Sequence, residues 1–118
     1  MSLQLIKADE PPKTLTAGFE GERRMNSFLV DYGVWKSEFG SGTLYVVLKR
    51  VTDAESAFFD ITPKDSTTNI TTWTLSDAVL SQRGKIQAQF VYNLGLPIKK
   101  SRMFELVVQD SLPMTNFE

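Results

Sequence analysis

The sequence predicts a mainly β protein, an immunoglobulin-like antiparallel β-sandwich of about seven strands with one short helix. Three observations carry that reading. Apolar side chains recur at every second position through most of the chain, the period of a half-buried strand. Clusters of Gly, Pro, Asn, Asp and Ser interrupt these runs at spacings of about 8–16 residues, as turns between short strands do. One segment, Ser76–Arg83, breaks the period of two and carries helix-capping residues.

Residues 1–13 read as an extended lead-in, because Pro11-Pro12 stops a helix. It is able to pair at a sheet edge through Leu3, Leu5 and Ala8. The sandwich domain is expected over residues 14–110. Thr14–Glu20 alternates Leu15, Ala17 and Phe19 with Thr14, Thr16 and Gly18. After a charged connection, Ser27–Tyr32 places Phe28, Val30 and Tyr32 on one face. Gly33–Gly42 holds three glycines in ten residues, which predicts a long loop or bent hairpin.

Thr43–Val51 is nearly continuous apolar, the pattern of a central strand covered on both faces. Ala57–Ile61 is a short strand between polar turns. Thr67–Leu75 is threonine-rich, and the change of face between Ile70 and Trp73 predicts a bulge or twist. Ser76 suits an N-cap, Leu75 can staple onto Leu80, and Gly84 suits the C-terminal left-handed position, so a two-turn helix is expected over Ser76–Arg83. Lys85–Tyr92 turns Ile86, Ala88, Phe90 and Tyr92 inward and Lys85, Gln87 and Gln89 outward. Asn93-Leu94-Gly95 reverses the chain into a last strand, Arg102–Asp110. Residues 111–118 are expected to be a tail that can lead into a further segment.

With 118 residues, 42% of them hydrophobic and 23% charged, the chain has the make-up of one globular domain. A net charge of −1 gives no electrostatic reason to expect a nucleic-acid or anionic-membrane partner. Arg23-Arg24 and Lys99-Lys100-Ser101-Arg102 are short and read as solvated charges. No apolar run reaches the ~20 residues of a membrane-spanning helix. Met1–Glu10 lacks the basic and long apolar regions of a signal peptide, so secretion by that route is not expected.

The chain has no histidine and no cysteine. Those absences remove Ser-His-Asp and Cys-His machinery, imidazole and thiolate metal sites, and disulfides. No phosphate-binding loop is present, and Gly40-Ser41-Gly42 precedes a strand rather than a helix. Asp53, Glu55, Asp60 and Asp65 lie in neighbouring turns but without a calcium-loop frame, and solvated carboxylates explain them better. Asn69-Ile70-Thr71 matches a glycosylation sequon of a length that arises by chance. No catalytic, cofactor-binding or metal-ligating residue is therefore nominated, and no cofactor is expected. Trp35 and Phe39, two large aromatics in a glycine-rich segment, are the candidates for a protein-binding contact. The competing reading, that they fold back to plug one end of the sandwich, is weighted slightly higher.

Over Leu44–Val108 the sequence resembles the N-terminal domain of the upper baseplate proteins of tailed phages that infect Gram-positive bacteria. Tyr45-Val-Val-Leu-Lys-Arg, Trp73-Thr-Leu-Ser-Asp-Ala-Val-Leu, Gly84-Lys-Ile-Gln-Ala-Gln-Phe and Phe104-Glu-Leu-Val-Val carry the resemblance. It implies a non-enzymatic virion component, assembled in the bacterial cytoplasm, whose β-domain docks onto the tail hub and links it to receptor-binding proteins. Partners would be other tail and baseplate proteins, with homo-oligomerisation compatible, and neither nucleic acid nor membrane. The alternative is a carbohydrate-binding sandwich in which Trp35, Trp73 or Tyr45 would stack on sugar rings.

Overall fold

Strand periodicity in the sequence becomes nine strands in two sheets of a computed structural model, which describes residues 4–19, 26–50, 55–65, 67–76, 78–81, 84–95 and 97–109. The strands are β1 (Gln4–Lys7), β2 (Thr14–Phe19), β3 (Ser27–Asp31), β4 (Thr43–Arg50), β5 (Ala57–Asp60), β6 (Ile70–Thr74), β7 (Gly84–Asn93), β8 (Ile98–Lys100) and β9 (Phe104–Gln109). The smaller sheet has the order β1-β3-β6. The larger has the order β2-β9-β7-β4-β5, with β8 also paired to β7. The inner faces of both sheets supply one continuous buried cluster, so the mainly β sandwich is the architecture observed. Its β3–β6, β4–β5, β4–β7 and β7–β9 ladders are antiparallel, while β1–β3 and β2–β9 are parallel.

The alternating strands place their apolar sets inward. Leu15 and Ala17 of β2, Phe28 and Val30 of β3, and Ile86, Ala88, Phe90 and Tyr92 of β7 are all buried. In β1 and just beyond it the buried residues are Ile6 and Ala8, while Leu5 is exposed, the opposite parity to that expected for Leu5. The Arg102 guanidinium holds the lead-in down, donating from Nε (3.0 Å) and Nη2 (2.5 Å) to the carbonyl of fully buried Pro11. One member of the basic cluster is thus a tether.

Several local expectations change in the structure. The single α-helix among the described residues, α1, is Gly33–Phe39 within the expected loop, and the described part of the segment expected to be helical holds a 3-10 turn at Val79–Ser81. Asp77, Gln82 and Arg83 lie outside the described residues. The Ser76 cap does form, since the Val79 amide donates to the Ser76 hydroxyl at 3.3 Å. Val79 and Leu80 are buried within that 3-10 turn. The chain begins α1 through Asp31, whose carboxylate accepts the Gly33 amide (2.9 Å), and leaves it at Gly40, where φ is 87°.

β4 buries Leu44, Val46 and Leu48 but leaves Tyr45 and Val47 half-exposed, so one face is covered fully and the other only in part. β6 pairs with β3 in unbroken register from Ile70 to Thr74. No bulge is needed there, because Ile70 lies outward and Thr71 takes the inward place. β8 is a strand that the turn signals do not predict. It and β9 run along the same side of β7, and Ser101 bridges the break between them: its amide donates to the Phe90 carbonyl (2.9 Å), and its hydroxyl accepts the Phe90 amide (3.0 Å).

Phe90 is fully buried, 5.9 Å from Trp73 of the other sheet and 5.2 Å from Phe104 between ring centres. Truncation to Phe90→Ala should destabilise the fold by about 3–5 kcal/mol through loss of burial and an unfilled cavity. Gln87→Ala, at an exposed position of the same strand, should cost less than about 0.5 kcal/mol. Gln89 is a poorer control than its outward position suggests, since its Nε2 donates to the Ser101 carbonyl at 2.7 Å. Urea denaturation of the two variants measures the difference directly.

Candidate interaction surface

Trp35 and Phe39 share α1 but not its burial. Trp35 is 2% exposed and stacks on Tyr92 with ring centres 5.9 Å apart; Tyr92 lies 6.0 Å from Tyr32. Trp35 thus plugs this end of the sandwich, while Phe39 is 39% exposed. The Tyr92 hydroxyl donates to the Gly40 carbonyl at 2.5 Å, fastening the end of the helix to the core. Gly42 then crosses so close to β7 that a Cβ would lie 2.7 Å from the Asn93 carbonyl oxygen. That approach explains glycine at this position. Tyr32, Trp35 and Phe39 stand at i, i+3 and i+7, the helical spacing that could have revealed α1 in the sequence.

Burial raises the Tyr32 hydroxyl above the usual phenol range, and the neighbouring Tyr92 adds to the shift. Burial also raises Tyr92, partly offset by a hydrogen bond from the Gly42 main chain. A wide hollow of about 670 Å³ flanks α1, with Lys7, Asp9, Asp31 and Glu38 on its walls. Among the described residues, no three His, Cys, Asp or Glu side chains converge as metal ligands would. Asp53, one of the turn acids, lies outside those residues.

The strongest apolar exposure lies elsewhere, where β5 ends the larger sheet and β6 ends the smaller one. Phe58 is 69% exposed and meets Tyr45 edge-on at 5.7 Å, and Phe59 is 38% exposed. Between the two edge strands is a cleft of about 350 Å³, with Leu48, Trp73 and Val79 among its apolar lining and Thr72, Thr74 and Asp60 among its polar lining. The Thr71 hydroxyl ties the sheets together here by donating to the Ile61 carbonyl at 2.5 Å. Sequence reading passes over Phe58-Phe59 because two adjacent aromatics in a short strand look like one inward and one outward residue. Phe59 pairs with buried Val46 on the inner face and is exposed because β5 lies at the edge, whereas Phe58 pairs with Val47 on the outer face beside Tyr45.

The aromatics considered for sugar stacking are distributed differently. Trp35 and Trp73 are buried at 2% exposure each, and Tyr45 is half-buried. A comparison of the sequence with protein-family models and with curated proteins finds no match.

Two measurements check the aromatic plug. Trp35→Ala should cost about 3–5 kcal/mol, as expected for a buried indole, whereas Phe39→Ser should cost about 1 kcal/mol, since it is already partly solvated. Because both raised tyrosine values favour the neutral phenol in the folded state, the stability they contribute is complete below the unfolded value near 10. It is lost as pH rises through the higher folded values. Urea midpoints should therefore fall above about pH 10, and less steeply in a Tyr92→Phe variant.

Proposed function

We propose that this domain is a non-enzymatic protein-binding module of a phage tail baseplate, docking onto the tail hub and linking it to receptor-binding proteins. The observation that carries the binding role is the uncovered aromatic edge: Phe58 and Phe59 stand exposed on a strand that ends its sheet. Exposed aromatics beside unpaired main chain mark a place where another chain can gain both apolar burial and hydrogen bonds. The baseplate assignment rests on the resemblance over Leu44–Val108. The non-catalytic role is supported by the absence of histidine and cysteine, which removes the commonest means of activating a nucleophile.

Affinity at such a site comes from apolar and main-chain contacts, since a net charge of −1 offers little long-range steering. Within α1, Phe39 is the residue placed to contribute, whereas Trp35 serves through the core. Isolated tail-hub protein used as bait should capture the domain, and Phe58→Ser should weaken capture by at least about tenfold, the effect of losing a contact worth about 1.4 kcal/mol. Its melting temperature should stay near that of the unaltered domain, because Phe58 is already mostly solvated. Undiminished capture by Phe58→Ser would remove β5 from the interface.

A further inference from the structure

Of the two edges that flank the cleft, β6 differs from the other edges of the sandwich. β8 is guarded by Lys99 and Lys100 and follows Pro97. β2 is broken by a register shift between Thr16 and Gly18, and β1 carries an exposed lysine, Lys7. These are the devices that keep a sheet edge from accepting another strand. β6, Ile70–Thr74, has no charge, no proline and no register shift.

The main-chain directions follow from the hydrogen bonds at the two ends of the β3–β6 ladder. The Tyr32 amide donates to the Asn69 carbonyl at 3.0 Å, and the Leu75 amide donates to the Asn26 carbonyl at 3.0 Å. Antiparallel pairs alternate, so Asn69, Thr71, Trp73 and Leu75 face β3, while Ile70, Thr72 and Thr74 turn their N–H and C=O groups to the open edge. Ile70 is satisfied locally, because the Thr68 hydroxyl donates to its carbonyl and accepts from its amide. Thr72 and Thr74 remain as an edge able to take an added strand. By the same alternation, the Ile61 amide bonded to Leu44 turns the main chain of Phe58 and Asp60 outward across the cleft.

We infer that β6 receives an extended segment of a partner protein as an added strand, hydrogen-bonded to Thr72 and Thr74, with alternate apolar side chains entering the cleft and basic residues outside. This names the partner chemistry of the same surface and rests on the protein-binding reading above. Three features select this occupant. The open groups are main-chain donors and acceptors at strand spacing, which another extended main chain matches. The cleft beneath them is floored by Leu48 and Val79, so inward residues of the segment are apolar. Among the described residues lining the cleft there is one acid, Asp60, and no basic side chain. That balance favours a basic segment and disfavours the same flank of a second copy.

The test uses the full chain and a ten-residue peptide of alternating valine and lysine. Binding is followed by amide exchange at Thr72 and Thr74, which should slow at least tenfold when the peptide is present. Methylating alternate peptide nitrogens, in the phase that faces β6, should weaken binding at least tenfold, as should replacing the lysines with glutamates. Thr72→Pro removes one edge-facing N–H and no β3–β6 hydrogen bond. It should lose peptide binding and bait capture together while keeping its melting temperature.

Equal binding of the methylated peptide, or no protection at Thr72 and Thr74, overturns the strand-addition site. If Thr72→Pro fails to fold, the peptide arms on the unaltered chain decide the matter alone. A folded Thr72→Pro that still captures hub protein overturns the site while leaving the protein-binding reading intact. Peptide binding without hub capture by the unaltered domain upholds the site and overturns the choice of hub as partner.

Discussion

Phe90 is held between Trp73 of the opposite sheet and Phe104 of the neighbouring strand, and Trp73 in turn meets Phe28 at 5.5 Å. This chain of rings passes from one sheet to the other in a protein with no cysteine to join them covalently. The sheets must therefore be held by burial and by ring packing, each pair adding about 0.5–1.5 kcal/mol beyond its area. The chain also sets strand register. A slip of one residue in β7 would turn Ile86, Ala88, Phe90 and Tyr92 to solvent together, so the alternative pairings lose a whole apolar face at once.

Polar ties secure what the rings leave open. Asn26 donates to the Ala17 carbonyl at 2.9 Å, and Thr71 donates to the Ile61 carbonyl, each crossing between elements of the two sheets. Ser101 supplies a hydroxyl where the β8–β9 line steps out of register, so the buried Phe90 amide is not orphaned. Arg50 reaches past the larger sheet to donate to the Val79 carbonyl, and so anchors the 3-10 turn that closes the cleft floor. These bonds explain why polar residues occupy a few inward places without loosening the core.

The open flank follows from the unequal sheets. Three strands at about 4.8 Å spacing span roughly 10 Å between outer axes, whereas the five-strand path of the larger sheet spans roughly 19 Å. The smaller sheet cannot roof the larger one from edge to edge. β5 accordingly leaves its inward Phe59 partly exposed at the cleft, while Phe58 lies on the outer face with Tyr45. The candidate interaction surface is thus a geometrical remainder of the sandwich, beside an edge, β6, that carries no charge, proline or register shift.

Much of the strand pattern was legible because alternation is a local property. The inward sets of β2, β3 and β7 can be read from each segment without knowing its neighbours, and so can the cap at Ser76. Features that depend on distant segments were not. α1 is short, begins and ends in glycine-rich sequence, and is held by Trp35 stacking on Tyr92, far along the chain. The residues near Ser76 have helix-forming chemistry, but the described ones form a 3-10 turn whose Val79 carbonyl is held by Arg50 of β4. β8 is visible only once β7 is long enough to pair with it.

By itself, the amino-acid order determined a mainly β domain without thiol or imidazole chemistry, because composition and periodicity act residue by residue. The tertiary structure decided which aromatics work for the core and which for the surface. Trp35 and Trp73 are drawn inward by rings supplied from other strands, while Phe59, on the inner face of β5, is left partly exposed because β5 ends its sheet. Exposure of a side chain is a property of what lies opposite it, and for an edge strand that is set by the order of strands in the sheet.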